Sequence, residues 1–432
     1  PAGKATPITI QARYDHCRLD DWPYNAALFP IEGLPGQTQW RLPIEPEPEP
    51  IEGGLRITLP FETEQEYALV LTGHRAQEIE LRFYALDEDL VDLRPFKGDT
   101  HIHSTRSDGR ESPAYVAASA RRIGLDFMAV TDHWQYPPSL EAIAAFEDVP
   151  TDLRIYPGEE IHPPRLPIEG EGRVIGSPVH MINFGGRFSI NARMRDEEAT
   201  YTQEMRAIAE GLTDLPDGVD AEPYAACAWA FDQIREAGGL GIFCHPYWLT
   251  RHRYDVPKDL TDLVFARQPY DAFELIGGYP PHEVTSNHLQ VVRYYEEQAK
   301  GHRIPVVGAS DAHGCETGEL FGWYYTLALA PSPDLPDLIA SIKGLRSVAV
   351  EALPGQAPRA YGPLRVVKYA QFLLREVLPE HDRLCRAEGD AMLDYLAGEP
   401  DARSRLAALQ GQIATYFTGM WSGDGEIPTH DP

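Results

Sequence analysis

Residues 55–61, 67–73 and 78–86, reading LRITLPF, YALVLTG and EIELRFYAL, alternate apolar with polar side chains, so each segment has one dry face and one wet face. A period of two is that of a strand, and the polar residues between the segments read as turns. The pattern predicts a small β-rich, sandwich-like domain over residues 1–95. Within it, PIEPEPEPIEGG at 43–54 reads as a stiff acidic linker or loop, because proline restricts the backbone and like charges extend it.

From Lys97 the texture changes. Ser112 and Pro113 form an N-cap and first-turn pair, Val116, Ala117, Ala120 and Ile123 follow at helical spacing, and Gly124 ends the helix. Short apolar runs at 127–130, 153–156, 178–184, 240–244, 272–276 and 304–309 read as strands, with helical segments at 225–237 and 286–300 between some of them. Alternating strands and helices predict an α/β fold with a parallel sheet. Polar residues gathered at strand ends predict a (β/α) barrel whose top face holds a site. The barrel is assigned to residues 96–360, with an insertion at 187–224 that reads equally as a lid or a surface excursion. Residues 361–432 are assigned to a helical extension with three amphipathic helices (364–378, 382–397 and 402–417), read as packing or homo-oligomer contacts.

A chain of 432 residues buries a large core without covalent staples. Its five cysteines are odd in number, widely spaced and without a C-x-x-C pair, which indicates neither a disulfide framework nor a zinc knuckle and fits a reducing, cytoplasmic setting. The net charge of −28 opposes bulk binding to nucleic acid, since no surplus of Lys and Arg exists to neutralise phosphates. No apolar run reaches membrane-spanning length, and the opening PAGKATPITI lacks the basic and apolar parts of a leader; no membrane partner is expected.

The chemistry concentrates at the strand ends. His101 and His103 alternate on an extended stretch, so both imidazoles point one way, and Asp108 follows in a glycine-ended turn. His133, Glu160, His245, Asp311 and His313 close or follow later apolar runs, and His180 lies within the run at 178–184. Together these nine residues offer more ligands than one ion can use. Imidazole with carboxylate suits two or three divalent transition metals (Zn, Mn or Fe), and without a cation the carboxylates would repel one another. Asp132 reads as an imidazole-orienting partner or a turn residue, and Glu274 as a pocket residue or a buried structural acid. His162, His252, His282 and His288 read mostly as surface residues, and Cys244 and Cys315 as small buried fillers.

HIHSTRSDG at 101–109, AVTDH at 129–133, PGEE at 157–160, CHP at 244–246 and ASDAH at 309–313 resemble, in order and spacing, the motifs of the PHP (polymerase and histidinol phosphatase) superfamily over about residues 97–350. The KGD lead-in and the β-rich segment before it are most similar to its carbaryl-hydrolase-like (CehA/McbA) branch. The resemblance implies a distorted (β/α)7 TIM-like barrel with a trinuclear centre. His101, His103 and Asp311 would hold one metal; Glu160 would bridge it to a second held by His180 and His245; Asp108, His133 and His313 would hold the third. Glu160 is preferred to Glu159 because the family pattern is Gly-x-Glu. Glu160, Asp311 and His245 are the implied catalytic residues.

Cations of this kind lower the pKa of water from ~16 toward ~7, so a metal-bridging hydroxide would be the nucleophile and no serine or cysteine is needed. The ligands leave open whether the small-molecule substrate is a phosphoester or a carboxylic ester or carbamate, with phosphoester favoured by the resemblance. Arg106, Arg251 and Arg253 are cations that could clamp a phosphate, surface charge being the plainer reading. Trp134 and Trp248, with Tyr136 and Tyr247, could line an apolar pocket or simply pack. A noncatalytic metal-binding module is the reading from a different class.

Overall fold

The computed structural model describes residues 1–12, 14–19, 23–73, 78–163, 179–216, 219–250, 252–316 and 320–421. The chain divides into two compact units. One comprises Pro1–Leu93, Lys368–Leu378 and the residues from Tyr416 on; the other comprises Arg94–Val367 and Pro379–Thr415.

In the first unit the strands Lys4–Gln11, Gly54–Phe61 and Glu49–Ile51 make one antiparallel sheet, and Asn25–Pro30, Gln65–Thr72 and Glu78–Ala85 make another. Alternation does the packing: Leu55, Ile57 and Leu59 from one sheet meet Leu28, Tyr67, Leu69 and Leu71 from the other in a shared core. The loop reading of the acidic Pro-Glu run holds at residues 45–48, and the run ends in a strand. Ile44 bridges Leu28, and Glu49–Ile51 turns through Gly53, at φ 71°, to pair with Gly54–Arg56 as an edge strand, where a proline removes no interior ladder bond.

The second unit is a mixed α/β fold, but among the described residues its strands do not form the closed parallel barrel expected. A six-stranded sheet runs in the order Arg359–Tyr361, Ser347–Glu351, Tyr324–Ala330, Arg94–Asp99, Phe127–Ala129, Arg154–Tyr156; a five-stranded sheet runs Gly158–Ile161, Met181–Phe184, Leu240–Phe243, Ala272–Gly277, Val306–Ala309. Several pairs are antiparallel, including both made by Met181–Phe184 and those made by Tyr324–Ala330. The ladder breaks at two identifiable seams. At Pro157 the chain passes from one sheet to the other through a residue with no N–H to donate. At the other seam, side-chain hydroxyls replace backbone pairing: Thr326 Oγ1 accepts from Gly308 N and donates to Gly308 O, and Ser347 Oγ donates to Val306 O. Single bridges, His133 with Glu160 and Ile102 with Ala312, join the sheets at the ends that carry the histidines.

Helix Pro113–Arg122 forms where its signals stand, with Ser112 Oγ accepting from Tyr115 N and Gly124 at φ 94° just beyond its end. The 187–224 insertion is helical. Ile190–Asp196 and Glu198–Gly211 bury Ile190, Met194, Tyr201 and Met205 in the core shared with helix Ala221–Glu236, so this segment is packed structure rather than a free lid. Among the described residues the C-terminal segment holds four helices, Leu364–Glu376, Leu378–Ala397, Ala402–Leu409 and Gln412–Trp421, and they are divided between the two units instead of forming an extension of their own. The predicted 402–417 helix is interrupted at Gly411, whose φ of 79° is not helical and whose N–H is held by the Asp152 carboxylate. No helix among the described residues is long and apolar enough to cross a membrane.

Below the second unit's histidines lies a buried ionic network that the sequence patterns did not announce. Arg121 bonds Glu388 at 2.7 Å and Asp126 at 3.0 Å, and His381 bonds Asp126 through Nε2 at 2.9 Å and Asp382 through Nδ1 at 3.0 Å. Lys97 reaches Asp382 at 3.0 Å. Burial opposes the charged imidazole, but Asp126 outweighs it and raises the His381 pKa well above its ordinary value; the same pairing holds the Asp126 carboxyl below its own. A raised histidine stabilises the fold fully below its unfolded pKa and loses that contribution as pH climbs through the folded value. A depressed aspartate contributes above its unfolded pKa. The stability difference between wild type and His381→Gln in urea titrations is therefore expected to peak between about pH 4 and 6.5 and to shrink on the alkaline side. A difference that is flat in pH would show that the pair is not ionic.

Candidate metal centre

Most of the sequence-predicted ligands stand at the end of a strand or in the turn that follows it, and His180 stands just before strand Met181–Phe184. His101 and His103 follow Arg94–Asp99, and Asp99 accepts from both His101 N and Ser310 N, clasping two ligand-bearing segments together. His245 and Asp311 come two residues after Leu240–Phe243 and Val306–Ala309, at φ 23° and 51°. Positive φ is unfavourable for residues with a Cβ and is tolerated where surrounding structure enforces it. It turns each side chain back over the strand ends.

Glu160 is the hub. Its carboxylate is fully buried; Oε2 lies 3.6 Å from His101 Nε2, 3.5 Å from His103 Nε2 and 2.5 Å from His133 Nδ1, while Oε1 lies 2.9 Å from His180 Nδ1, 3.2 Å from His162 Nε2 and 3.8 Å from His245 Nε2. Asp311 Oδ1 sits 3.2 Å from His101 Nε2 and 2.9 Å from His103 Nε2, and Oδ2 sits 3.8 Å from His245 Nε2. Asp108 approaches His133 at 3.5 Å and His313 at 3.3 Å. The structure thus groups His101, His103 and Asp311; His101, Glu160 and His245; and His103, Asp108, His133 and His313 as sets able to hold a cation.

These residues fit metal ions by an internal criterion. Nε2 of His101, His103, His162 and His245, Nδ1 of His133 and His180, and both oxygens of Glu160 are buried with no hydrogen-bond partner. Leaving so many polar atoms unpaired in one place is costly, and inward-facing lone pairs are what cations require. Two rings of the cluster have the opposite nitrogen engaged. His313 Nδ1 donates to the Asp311 carbonyl at 2.9 Å, and His101 Nδ1 lies 3.0 Å from Glu274 Oε2, so each Nε2 faces inward with its lone pair free.

Asp132 holds the first loop: it accepts from Ser104 N, Ser104 Oγ and Ser107 Oγ, and Ser107 Oγ lies 3.4 Å from His103 Nδ1. Burial opposes ionisation of Glu160 and Asp311, yet the surrounding histidines hold both carboxyls below the usual range. Burial also lowers the pKa of His103 and His245, favouring the neutral, ligating form.

Glu159 has a separate task. Strand alternation points it away from Glu160, where it accepts from Ile190 N, Ser189 Oγ, Asn191 Nδ2 and Asn183 Nδ2 and so anchors the start of helix Ile190–Asp196. Glu274 is an imidazole-orienting acid. Buried Cys244 has its thiol pKa pushed well up, and that of Cys315 is pushed up to about 12, so neither is a thiolate nucleophile at neutral pH.

Of the proposed substrate-binding residues, Trp134 and Trp248 flank the cluster. The Trp134 ring lies 5.5 Å from His133 and 4.9 Å from His162; Trp248 lies 6.0 Å from His180 and 5.9 Å from His245. Both are exposed, at 57% and 37%. Arg106 does not face the site: it forms a fork with Glu141 on the surface. Arg253 is exposed in a two-residue strand, and Arg251 lies outside the described residues. His252, His282 and His288 are exposed, but His162 is not a surface residue; it stacks on His180 with centroids 3.7 Å apart. Its signal was available, since it stands two residues after Glu160 and so on the same face of an extended chain. Asp255, 3.6 Å from His180 Nε2, was also missed, because it sits in a loop with no periodic pattern.

No protein-family model matches the chain. A 92-residue stretch is 37% identical to the DNA polymerase/3′-5′ exonuclease PolX of Bacillus subtilis; it amounts to 20% of this chain and 16% of that protein's length. Among solved structures, a two-domain protein from Bacteroides vulgatus containing a predicted PHP-like metal-dependent phosphoesterase is similar at 17% identity and a TM-score of 0.39, over 60% of this chain and 66% of that one. An amidohydrolase from Chromobacterium violaceum with bound sulfate and no metal is similar at 19% identity and a TM-score of 0.32, over 51% and 88% of the two chains.

Proposed function

We propose that the chain is a metal-dependent hydrolase of the PHP superfamily, acting as a phosphoesterase on small substrates. The observation that carries the reading is the convergence of buried, unpartnered imidazole nitrogens on the two oxygens of Glu160. His101, His103 and Asp311 would hold one ion, Glu160, His180 and His245 a second, and Asp108, His133 and His313 a third. Bound there, divalent cations would supply an activated water near neutral pH and neutralise charge on the ester oxygens.

The chain's own groups prepare that chemistry. Glu160 and Asp311 stay ionised, Glu274 and the Asp311 carbonyl keep protons on the outward ring nitrogens, and the two strained backbone positions aim His245 and Asp311 inward. The short stretch shared with a 3′-5′ exonuclease, whose reaction is phosphodiester cleavage, supports phosphoester over carbonyl-ester chemistry. The exposed indoles of Trp134 and Trp248 favour a substrate with an aryl or other flat apolar group.

A second reading, hydrolysis of a carboxylic ester or carbamate, is favoured by one observation: Arg106 is committed to Glu141 and Arg253 lies on the surface, so neither clamps a phosphate. Placement in the carbaryl-hydrolase-like branch and a distorted barrel opened at the Pro157 and Thr326 seams belong to this proposal. Metal-reconstituted protein is expected to turn over an aryl phosphomonoester or phosphodiester faster than an aryl ester or carbamate, with activity lost on chelation and in Asp311→Ala. Carbonyl-ester turnover alone would install the second reading. Activity indifferent to chelation and to Asp311→Ala would remove both.

A further inference from the structure

Among the described residues, His162 is the histidine of the cluster to which the family resemblance gives no ligand role. Its side chain is 11% exposed, and its Nε2 lies 3.2 Å from Glu160 Oε1, the same oxygen that faces His180 Nδ1 at 2.9 Å. The two imidazoles are stacked 13° from parallel at 3.7 Å, and Trp134 packs edge-on against His162 at 4.9 Å. Stacking alone would leave the polar edges free to face water. Instead the Nε2 of His162 and the Nδ1 of His180 are both buried without a hydrogen-bond partner and are directed at one carboxylate oxygen, with His245 Nε2 3.8 Å from that oxygen.

We infer that His162 is a fourth protein ligand of the second metal position, completing a set of three imidazole nitrogens and one carboxylate oxygen with His180, His245 and Glu160. The inference rests on the proposed metal centre. Three nitrogens and one oxygen satisfy a four-coordinate cation such as Zn²⁺, and a position filled entirely by protein ligands is closed, whereas a catalytic position keeps a place for water or substrate. Exposure separates the positions in the same sense. Glu160 and His245 are buried to within 1% and 5%, whereas Asp108 and His313 of the third position are 55% and 38% exposed. The second position therefore retains its ion, and the third exchanges with solvent and receives substrate.

The test uses full-length protein loaded with Zn²⁺ or Co²⁺, wild type and His162→Phe; phenylalanine preserves the stack on His180 and the contact with Trp134 but offers no nitrogen. Metal per chain and the time course of loss to a chelator are measured, together with the visible absorption of the Co²⁺ form. Wild type is expected to lose one equivalent quickly and to hold another the longest. In His162→Phe the slowest-lost equivalent should bind about 100-fold more weakly, with an altered Co²⁺ spectrum and an unchanged fast phase. A His162→Phe protein with wild-type stoichiometry, loss kinetics and spectrum would overturn the assignment while leaving the metal centre standing. A wild type that retains no metal would overturn the metal centre and this assignment with it.

Discussion

Glu160→Gln is expected to abolish hydrolysis, with kcat/KM falling on the order of 10³-fold or more, and to lower the metal content of the purified protein at the same time. The substitution keeps the side chain's size and removes only its charge. Both carboxylate oxygens are buried and unpartnered, with His101 facing one and His180 the other, so Glu160 brings the two sides onto one anion. Neutralising it withdraws the shared negative charge from two positions together, and the amide offers one poorer oxygen in place of two. The measurement pairs metal analysis with kcat/KM on the best ester substrate. Full metal content with unimpaired turnover would show that Glu160 does not bridge. Full metal content with lost turnover would restrict its part to charge at the reacting centre.

Arg121→Ala is expected to destabilise the folded chain by about 3–5 kcal/mol, read as a drop in the urea midpoint. Its guanidinium is fully buried between Glu388 at 2.7 Å, Asp126 at 3.0 Å and the Leu125 carbonyl at 3.0 Å. Removing it takes the cation from buried Glu388 and leaves Asp126 to pair with His381, which costs more than the intact network gained by forming. Arg121→Met fills most of the volume but restores no cation to Glu388 or Asp126, so it should retain most of the loss. A methionine variant as stable as wild type would assign the effect to packing. Since Asp126 also accepts from Lys97 N on the strand leading to His101, weakened metal retention in Arg121→Ala would trace the disturbance up to the site.

The strands, and the places where histidines and carboxylates gather, were legible because each rests on a short-range pattern. Alternation marks residues 55–61, and an apolar run ending in a histidine or acid marks residues 240–245. What escaped depended on pairing between distant segments. Nothing local distinguishes a parallel from an antiparallel partner for residues 181–184, and the hydroxyls of Thr326 and Ser347, which seal a seam in place of backbone bonds, look like any strand residues. Glu274 and Asp132 could be noticed but not assigned, since their work is done on rings contributed from elsewhere in the chain. His162 was discounted as a surface residue because it lay past the predicted strand end, although simple alternation from Glu160 placed it on the ligand face.

The threading of the first unit bears on how the chain reaches its fold. Tyr84, on a strand completed early in synthesis, packs against Tyr369 and Phe372 at 4.8 and 5.5 Å, and Glu66 pairs with Arg375 at 2.7 Å. Those partners emerge from a ribosome roughly 275 residues after Leu93, a wait of roughly 15–55 s at about 5–20 residues per second. Throughout that interval the nascent β sheets carry an uncovered aromatic face, the kind of surface that chaperones shield and that aggregates when left bare. A fragment cut after Leu93 would carry the same exposed face permanently, and a soluble version of that unit should require segment 368–378 to be joined back onto it.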